Sequence, residues 1–192
     1  MTGSSGGTQT VNTGQTASAV PSPSPALAST ARRATILPGG HTLFSKRGSP
    51  VPVAPPGAYL LDPSPAVTRA GLVAELARDT GTWQIDPQIA FLSGDEPVRT
   101  PFARTLQVLA SLPWHEKQAA RRLRELGIGA ADIRRRGLAG DVEAIRRRLG
   151  LRGEGSATIV LTRREDRPWG LICADLEPAA DPEPATDPPP AR

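Results

Sequence analysis

The segment Phe102–Leu176 alternates apolar runs of strand length with two short amphipathic segments, and this alternation constrains the fold more than any other feature. The amphipathic segments, Trp114–Leu126 and Val142–Leu149, repeat apolar side chains at helical spacing, and each is followed by a glycine. The order β-α-β-α-β-β predicts an α+β domain, a small mixed sheet with both helices on one face. Four runs have the composition of strands: Arg104–Leu112, Ala131–Arg136, Ala157–Thr162 and Trp169–Ala174.

Two weaker patterns precede this segment. Pro65–Ala77 has the spacing of one helix, with Ser64 as its N-cap and Gly81 as its stop. Ala34–Leu37 has the composition of a short strand closed by the turn Pro38–Gly40. The sequence therefore predicts a helical segment ahead of the main domain.

The composition divides the chain into four parts. Residues 1–31 are rich in Gly, Ser, Thr and Pro and carry no charge, so they are predicted to be disordered. Residues 32–56 are predicted to form an extended Pro/Gly-rich linker, and residues 57–176 the folded domain. Residues 177–192, an acidic Pro-rich tail, are again predicted to be disordered.

Arginine blocks give the folded part a positive surface. Between residues 115 and 167, fourteen Lys or Arg stand against eight Asp or Glu. Because Ile145 and Leu149 should face the core, Arg146–Arg148 should lie on the opposite side of their helix. Such a surface attracts polyanions, and it favours RNA as the partner. The candidate RNA-binding residues are Arg121, Arg122, Arg134, Arg136, Arg146, Arg147 and Arg148.

An ordinary solvated surface is the competing interpretation of the same residues. Carboxylates such as Glu116, Glu125, Asp132 and Glu143 are close enough in sequence to pair with these arginines. Arg134 and Arg136 are expected to lie near the helical arginines, which would favour a single binding surface. The aromatic residues Trp114 and Trp169 are expected to pack in the core rather than stack on bases.

No group of residues predicts catalysis, cofactor binding or a metal site. The single cysteine, Cys173, lies in an apolar run and is expected to be a buried, inert thiol. The two histidines, His41 and His115, lie in separate segments without ligands at metal-binding spacing. No apolar run reaches the roughly 18 residues of a membrane span, and no secretory signal is visible, so the cytoplasm is the expected location.

Several blocks of the sequence resemble the C-terminal THUMP-like domain of a bacterial family of class I S-adenosylmethionine-dependent methyltransferases, common in actinobacteria. Residues 31–38 are similar to the junction that leads into this domain. The resemblance covers about residues 31–176, and the blocks occur in the same order. They are Pro55–Val73, Ile89–Asp95, Thr100–Arg104, Ile133–Gly137, Ala144–Leu149 and Ala157–Arg163.

The resemblance implies a non-catalytic, RNA-binding module of a methyltransferase system, with RNA of the tRNA or rRNA kind as its ligand. In that family S-adenosylmethionine binds an N-terminal domain with a glycine-rich loop, whereas residues 1–30 here contain neither that loop nor an acidic residue. No cofactor or catalytic residue carries over, so no enzyme activity is expected of this chain alone. The alternatives are a truncated remnant and a docking module for a separate methyltransferase domain, with Pro55–Leu72 as its surface and Tyr59 as an anchor.

Overall fold

The computed structural model describes residues 31–37 and 39–176; the expectations for 1–30 and 177–192 lie outside these ranges. Two sheets and four helices make up the described part. The strands are β1 (Arg33–Ile36), β2 (His41–Phe44), β3 (Tyr59–Pro63), β4 (Trp83–Gln84), β5 (Leu92–Gly94), β6 (Ala103–Pro113), β7 (Ile128–Arg135), β8 (Gly155–Arg164) and β9 (Arg167–Asp175). The helices are α1 (Pro65–Arg69), α2 (Val73–Thr80), α3 (Glu116–Glu125) and α4 (Val142–Leu149).

The main sheet has seven strands in the order β4-β5-β3-β6-β9-β8-β7. The pair β7–β8, connected through α4, is parallel, and the other neighbours are antiparallel. The run β6-α3-β7-α4-β8-β9 reproduces the predicted β-α-β-α-β-β order, and the α+β class is confirmed. β1 and β2 form a separate two-stranded hairpin inside the predicted linker.

The helices α3 and α4 both pack on one face of the sheet, as the sequence pattern predicts. Ala119 and Leu123 of α3 and Ile145 and Leu149 of α4 are buried against side chains such as Ile159. Burying each of the larger aliphatic side chains contributes about 1.5–3 kcal/mol of transfer free energy. This layer leaves the polar faces of α3 and α4 outside.

The opposite face of the sheet is concave. Its core contains Leu60, Leu106, Val160 and Leu171 from four strands, with Phe91 from the β4–β5 connection filling the centre. The Nη1 atom of Arg134 in β7 lies 3.3 Å from the Oδ2 atom of Asp62 in β3, although three strands lie between β3 and β7 in the sheet. Because neighbouring strands lie about 4.8 Å apart, a flat sheet would keep them far beyond contact distance. The sheet therefore curls strongly around this second core.

The predicted helix Pro65–Ala77 is wrong in one respect, because the structure divides it into α1 and α2. Ser64 caps α1 through its hydroxyl, which accepts from the Val67 N–H at 3.4 Å. Gly71 then takes a left-handed conformation (φ 64°), which ends the first helix. The restart changes the helical phase, so Leu72 and Leu76 become fully buried.

Strict alternation in the predicted strand Arg104–Leu112 would place Leu106, Val108 and Ala110 on one side of β6, and this expectation is also wrong. The pairing of β6 with β9 shifts register between Val108 and Ala110. One extra residue in a strand reverses the side to which later side chains point. Val108 therefore packs in the concave core, whereas Ala110 packs against the helical layer.

The β8–β9 connection is a two-residue hairpin whose central residues, Glu165 and Asp166, both have positive φ (51° and 60°). This geometry matches the type I′ turn, which favours glycine at its second central position. We expect Asp166→Gly to raise the free energy of unfolding by about 0.5–1 kcal/mol, measured by urea denaturation. Asp166→Ala keeps the positive-φ cost and should give no gain; an equal gain from both variants would contradict this explanation.

Candidate nucleic-acid interface

The outer surfaces of α3 and α4 carry more cations than carboxylates. From Glu116 to Glu125 and from Asp141 to Glu154, eight Lys or Arg stand against five acidic residues. The inward positions of both helices are apolar, so the charged residues occupy the solvent side by helical geometry alone. Local pairing decides how much of this charge is available to a ligand.

Three of the predicted arginines are held in pairs within one helix. Glu125 forms ion pairs with Arg121 at 3.2 Å and with Arg122 at 3.1 Å. Glu143 forms one with Arg146 at 2.9 Å. Exposed helical pairs of this spacing contribute only about 0.3–0.5 kcal/mol. A phosphate can therefore replace the carboxylate at little cost. Glu125 serves two arginines, which leaves a net positive charge at that site.

Arg148 joins the two helices. Its Nε and Nη2 donate to the two carboxylate oxygens of Glu116 at 2.7 and 2.8 Å, a bidentate pair. The hydrogen bond from Arg148 lowers the pKa of the Glu116 carboxyl group, and the same bond raises the pKa of the Arg148 guanidinium. Both groups therefore stay charged at neutral pH, and the pair links α3 to α4 at the surface.

A groove of about 870 Å³ runs between α3 and α4, and we call it the α3–α4 groove. Three of its cations, Lys117, Arg124 and Arg152, form no ion pair with any residue in the described ranges. Its lining residues are Glu116, Lys117, Ala120, Arg124, Arg148, Leu149, Gly150 and Arg152. Four cations against one carboxylate make the groove a positively charged site with an apolar floor.

Sequence reasoning missed Lys117, Arg124 and Arg152 because it followed consecutive arginines. The signal was present in the spacing: Lys117 and Arg124 lie seven residues apart, two turns of helix, and therefore on the same side of α3. Arg152 lies in the loop after α4, two residues after Gly150, the glycine that caps the helix. No local pattern places that loop residue beside α3, because its position depends on tertiary contacts.

Close backbone contact places Arg152 at the groove. The loop after α4 crosses the start of β7, where the Gly155 N–H donates to the Gly127 carbonyl at 3.0 Å. A β-carbon on Gly129 would overlap the Gly153 carbonyl oxygen, and Gly153 itself has φ 153°. The glycines thus allow a contact that side chains would block.

Arg147 lies beside a second, smaller cavity of about 590 Å³. It is exposed and forms no ion pair with the described residues, unlike its neighbours Arg146 and Arg148. All three occupy the last turn of α4, where cations also interact favourably with the helix dipole. That interaction gives the arginine run a structural role in addition to any ligand.

Arg134 and Arg136 do not lie near the helical arginines, which corrects our expectation. Both reach across the concave face to Asp62, at 3.3 and 2.7 Å, and Asp62 is largely buried. Arg134 also pairs with Asp132 at 3.0 Å, and Arg136 lies 5.0 Å from the centre of the Phe91 ring. The alternation of side chains in β7 explains this, since Ile133 points to the helices and Arg134 to the other face.

Removing the Asp62 carboxylate should therefore destabilise the fold. Asp62→Asn leaves Arg134 and Arg136 without their cross-sheet charge partner, and we expect a loss of about 1–2 kcal/mol because both arginines are partly exposed. Thermal and urea unfolding measure this loss. Asp132→Asn removes only exposed ion pairs, with Arg134 and at 4.0 Å with Arg104, and should cost less than about 0.5 kcal/mol; equal losses would contradict the role of Asp62.

The remaining candidates occupy structural positions. Cys173 is fully buried, and burial raises the pKa of its thiol to about 12, so it stays protonated and weakly nucleophilic. Trp114 packs against the helical core and Trp169 against the concave core. The described residues contain no group of three or more His, Cys, Asp or Glu placed to hold a metal ion. Within the same ranges, none of the helices has the length and apolarity needed to cross a membrane.

Most residues of Pro55–Leu72, the segment considered above as a docking surface, are buried or partly buried. Leu60 and Leu61 are fully buried, because β3 lies between β5 and β6 in the sheet. Tyr59, the expected anchor, pairs with neighbours on both sides and is only partly exposed. The strand at the centre of the segment is therefore unavailable to a partner, and docking through the exposed residues on either side of it, such as Pro55 and Arg69, stays a prediction.

Comparison with known proteins gives the same architecture a family context. Residues 103–175 match the family described as THUMP domain-like. The chain is 43% identical over 132 residues to an uncharacterised S-adenosylmethionine-dependent methyltransferase from Mycobacterium tuberculosis, present in strains CDC 1551 and H37Rv. The match includes 69% of this chain and 36% of the relative, so the chain spans about a third of the relative's length.

A crystal structure of a proposed methyltransferase from Porphyromonas gingivalis W83 has a similar fold. Its TM-score is 0.61 at 18% identity, and the match covers 76% of this chain and 38% of that one. Identity this low supports the fold alone. The family match and the sequence identity to the mycobacterial relative identify residues 103–175 as a THUMP-like domain in a chain related to S-adenosylmethionine-dependent methyltransferases.

Proposed function

We propose that this chain is a non-catalytic RNA-binding module of an S-adenosylmethionine-dependent methyltransferase system, and that the α3–α4 groove holds the RNA phosphates. The observation that carries the proposal is the set of three cations, Lys117, Arg124 and Arg152, that face one groove without carboxylate partners in the described ranges. Uncompensated charge on one surface is what a polyanion requires.

The seven arginines predicted from sequence now have different roles in this proposal. Arg148 lines the groove, whereas the other four helical arginines line two other cavities beside α3 and α4 and extend the positive surface: Arg121 and Arg122 in one, Arg146 and Arg147 in the other. Arg134 and Arg136 serve the concave core instead, because Asp62 satisfies both. The proposed ligand is structured RNA of the tRNA or rRNA kind, consistent with the cytoplasmic location expected from sequence.

The direct test is the salt dependence of RNA binding. Fluorescence anisotropy with a labelled tRNA transcript, from 50 to 300 mM KCl, should give a linear fall of log K with log salt concentration. Each displaced counterion contributes about 0.7–0.9 to the slope, so contacts from the groove alone predict a slope near −3. Absence of binding at the lowest salt concentration, or binding that does not depend on salt, would contradict the proposal.

The second candidate function is docking to a methyltransferase domain without RNA. The observation that supports it is the 43% identity to an S-adenosylmethionine-dependent methyltransferase, over 36% of that protein's length. In both cases we propose that S-adenosylmethionine binds the methyltransferase domain and not this chain. Isothermal titration of the purified chain with S-adenosylmethionine should show no binding, and measurable affinity would place the cofactor site here.

A further inference from the structure

The α3–α4 groove contains one carboxylate among its four cations, that of Glu116 in the first turn of α3. Its two oxygen atoms accept from the Nε and Nη2 atoms of Arg148 at 2.7 and 2.8 Å. A guanidinium group binds a phosphate through the same kind of paired N–H groups. The Arg148 side chain is 53% exposed and the Glu116 side chain 35% exposed, so a ligand in the groove can reach both. Glu116 therefore occupies the place at Arg148 that a phosphate group would take.

This ion pair is held more firmly than the pair between Glu143 and Arg146. Glu143 contacts Arg146 through one hydrogen bond at 2.9 Å, three residues away on the same helix. Glu116 instead accepts two charge-assisted hydrogen bonds from an arginine of the other helix, which fix both planar groups in one geometry. Hydrogen bonding lowers the pKa of Glu116 and raises the pKa of Arg148, since it stabilises the charged form of each. A phosphate should displace Glu143 more readily than Glu116.

The ends of the two helices also stabilise the charges of the pair. Glu116 lies in the first turn of α3, where a carboxylate interacts favourably with the helix dipole. Arg148 lies in the last turn of α4, where a cation does the same. Because Glu116 belongs to the groove, a phosphate that took its place at Arg148 would lie beside a carboxylate that had lost its arginine. Repulsion between the two anions opposes this exchange.

We infer that Glu116 limits the affinity of the α3–α4 groove for RNA by withholding Arg148 from the phosphates. The inference rests on the proposed RNA binding and names the residue that restrains it. The cations without carboxylate partners in the described ranges then make the phosphate contacts: Lys117, Arg124 and Arg152. A carboxylate inside a phosphate site repels anions that the other cations do not hold well, so Glu116 also determines specificity.

Glu116→Gln tests this role because it removes the charge and keeps the size of the side chain. Affinity for the labelled tRNA transcript should rise by about three- to tenfold near 0.1 M salt, because Arg148 becomes free to make a fourth phosphate contact. For the same reason, the slope of log K against log salt concentration should become steeper by about 0.7–0.9.

Glu143→Gln is the matched control, since it makes the same change in net charge at the more easily displaced pair on α4. Its gain in affinity should stay below about twofold, with little change in slope. Equal gains in the Glu116 and Glu143 variants would overturn the inference, because net charge alone would then explain both.

The double variant Glu116→Gln/Arg148→Gln shows whether the gain passes through Arg148. The steeper slope of the single variant should be lost in the double variant, because the released cation is no longer present. A slope that stays steep would overturn the inference. Thermal unfolding of each variant checks the fold, and exposed pairs of this kind should change the melting temperature by only a few degrees.

The same titrations separate this inference from the proposed function. If neither the wild-type chain nor Glu116→Gln binds the transcript, RNA binding itself is rejected, and the role of Glu116 with it. If both bind with the same affinity and slope, RNA binding stands and only the role of Glu116 is rejected.

Discussion

Replacing Lys117, Arg124 and Arg152 together with alanine should weaken binding to a structured RNA by roughly 30- to 1,000-fold near 0.1 M salt. Each of these side chains can neutralise one phosphate, and each lost contact removes the entropy gained from counterion release. The slope of log K against log salt concentration should become less steep by about 2–3. Anisotropy titrations of the variant and the wild-type chain, at four or more salt concentrations, measure both quantities.

A matched control separates the groove from net charge. Arg47, Arg69 and Arg167 are exposed and form no ion pair with the described residues, but they lie outside the α3–α4 groove. Replacing these three with alanine removes the same charge and should weaken binding less than about fivefold through the long-range field alone. Similar losses in both triple variants would show that RNA binding does not depend on the groove.

Gly129→Ala should cost about 3 kcal/mol or more in the free energy of unfolding. Its β-carbon would overlap the Gly153 carbonyl oxygen, so two backbone segments would have to separate. Strain of this kind cannot be relieved by rotating a side chain. Urea denaturation measures the loss, and because the displaced loop carries Arg152, RNA affinity should fall as well in the fraction that folds.

Gly150→Ala is the appropriate comparison. Gly150 also has positive φ (55°) and ends α4, but nothing lies within 4 Å of a β-carbon built on it. Only the left-handed backbone conformation is penalised, which costs about 1 kcal/mol. If Gly129→Ala costs no more than Gly150→Ala, the close approach of the two loops does not constrain the fold.

The order of strands and helices in the domain core could be predicted from the sequence, because the signals that begin and end each element are local. Gly150 ends α4, as its place directly after the amphipathic segment predicts, and Asp141 caps the other end by accepting from the Glu143 N–H at 2.9 Å. Two features that required tertiary information were missed. The extra residue near Leu109 reversed the second half of β6, and the curl of the sheet brought Arg134 to Asp62.

The candidate site shows the same division. Helical periodicity correctly assigned Arg146–Arg148 to the outside of α4. It could not say which guanidinium groups would meet a carboxylate, because Glu116 comes from a different helix than Arg148 and Asp62 from a strand distant in sequence. The unpaired cations are defined by what the folded chain leaves uncompensated, and this depends on every tertiary contact at once.

The curl of the main sheet determines whether surfaces at its two ends can be covered at the same time. The helical core under α3 and α4 and the core that anchors the β1–β2 hairpin share no buried residue, and both lie on the convex side. Because the sheet bends far enough for β3 to contact β7 across the concave side, the outward directions at its two ends diverge. A polyanion held against α3 and α4 would therefore lie in a different region of space from α1, α2 and the β1–β2 hairpin, and would leave that end of the sheet uncovered.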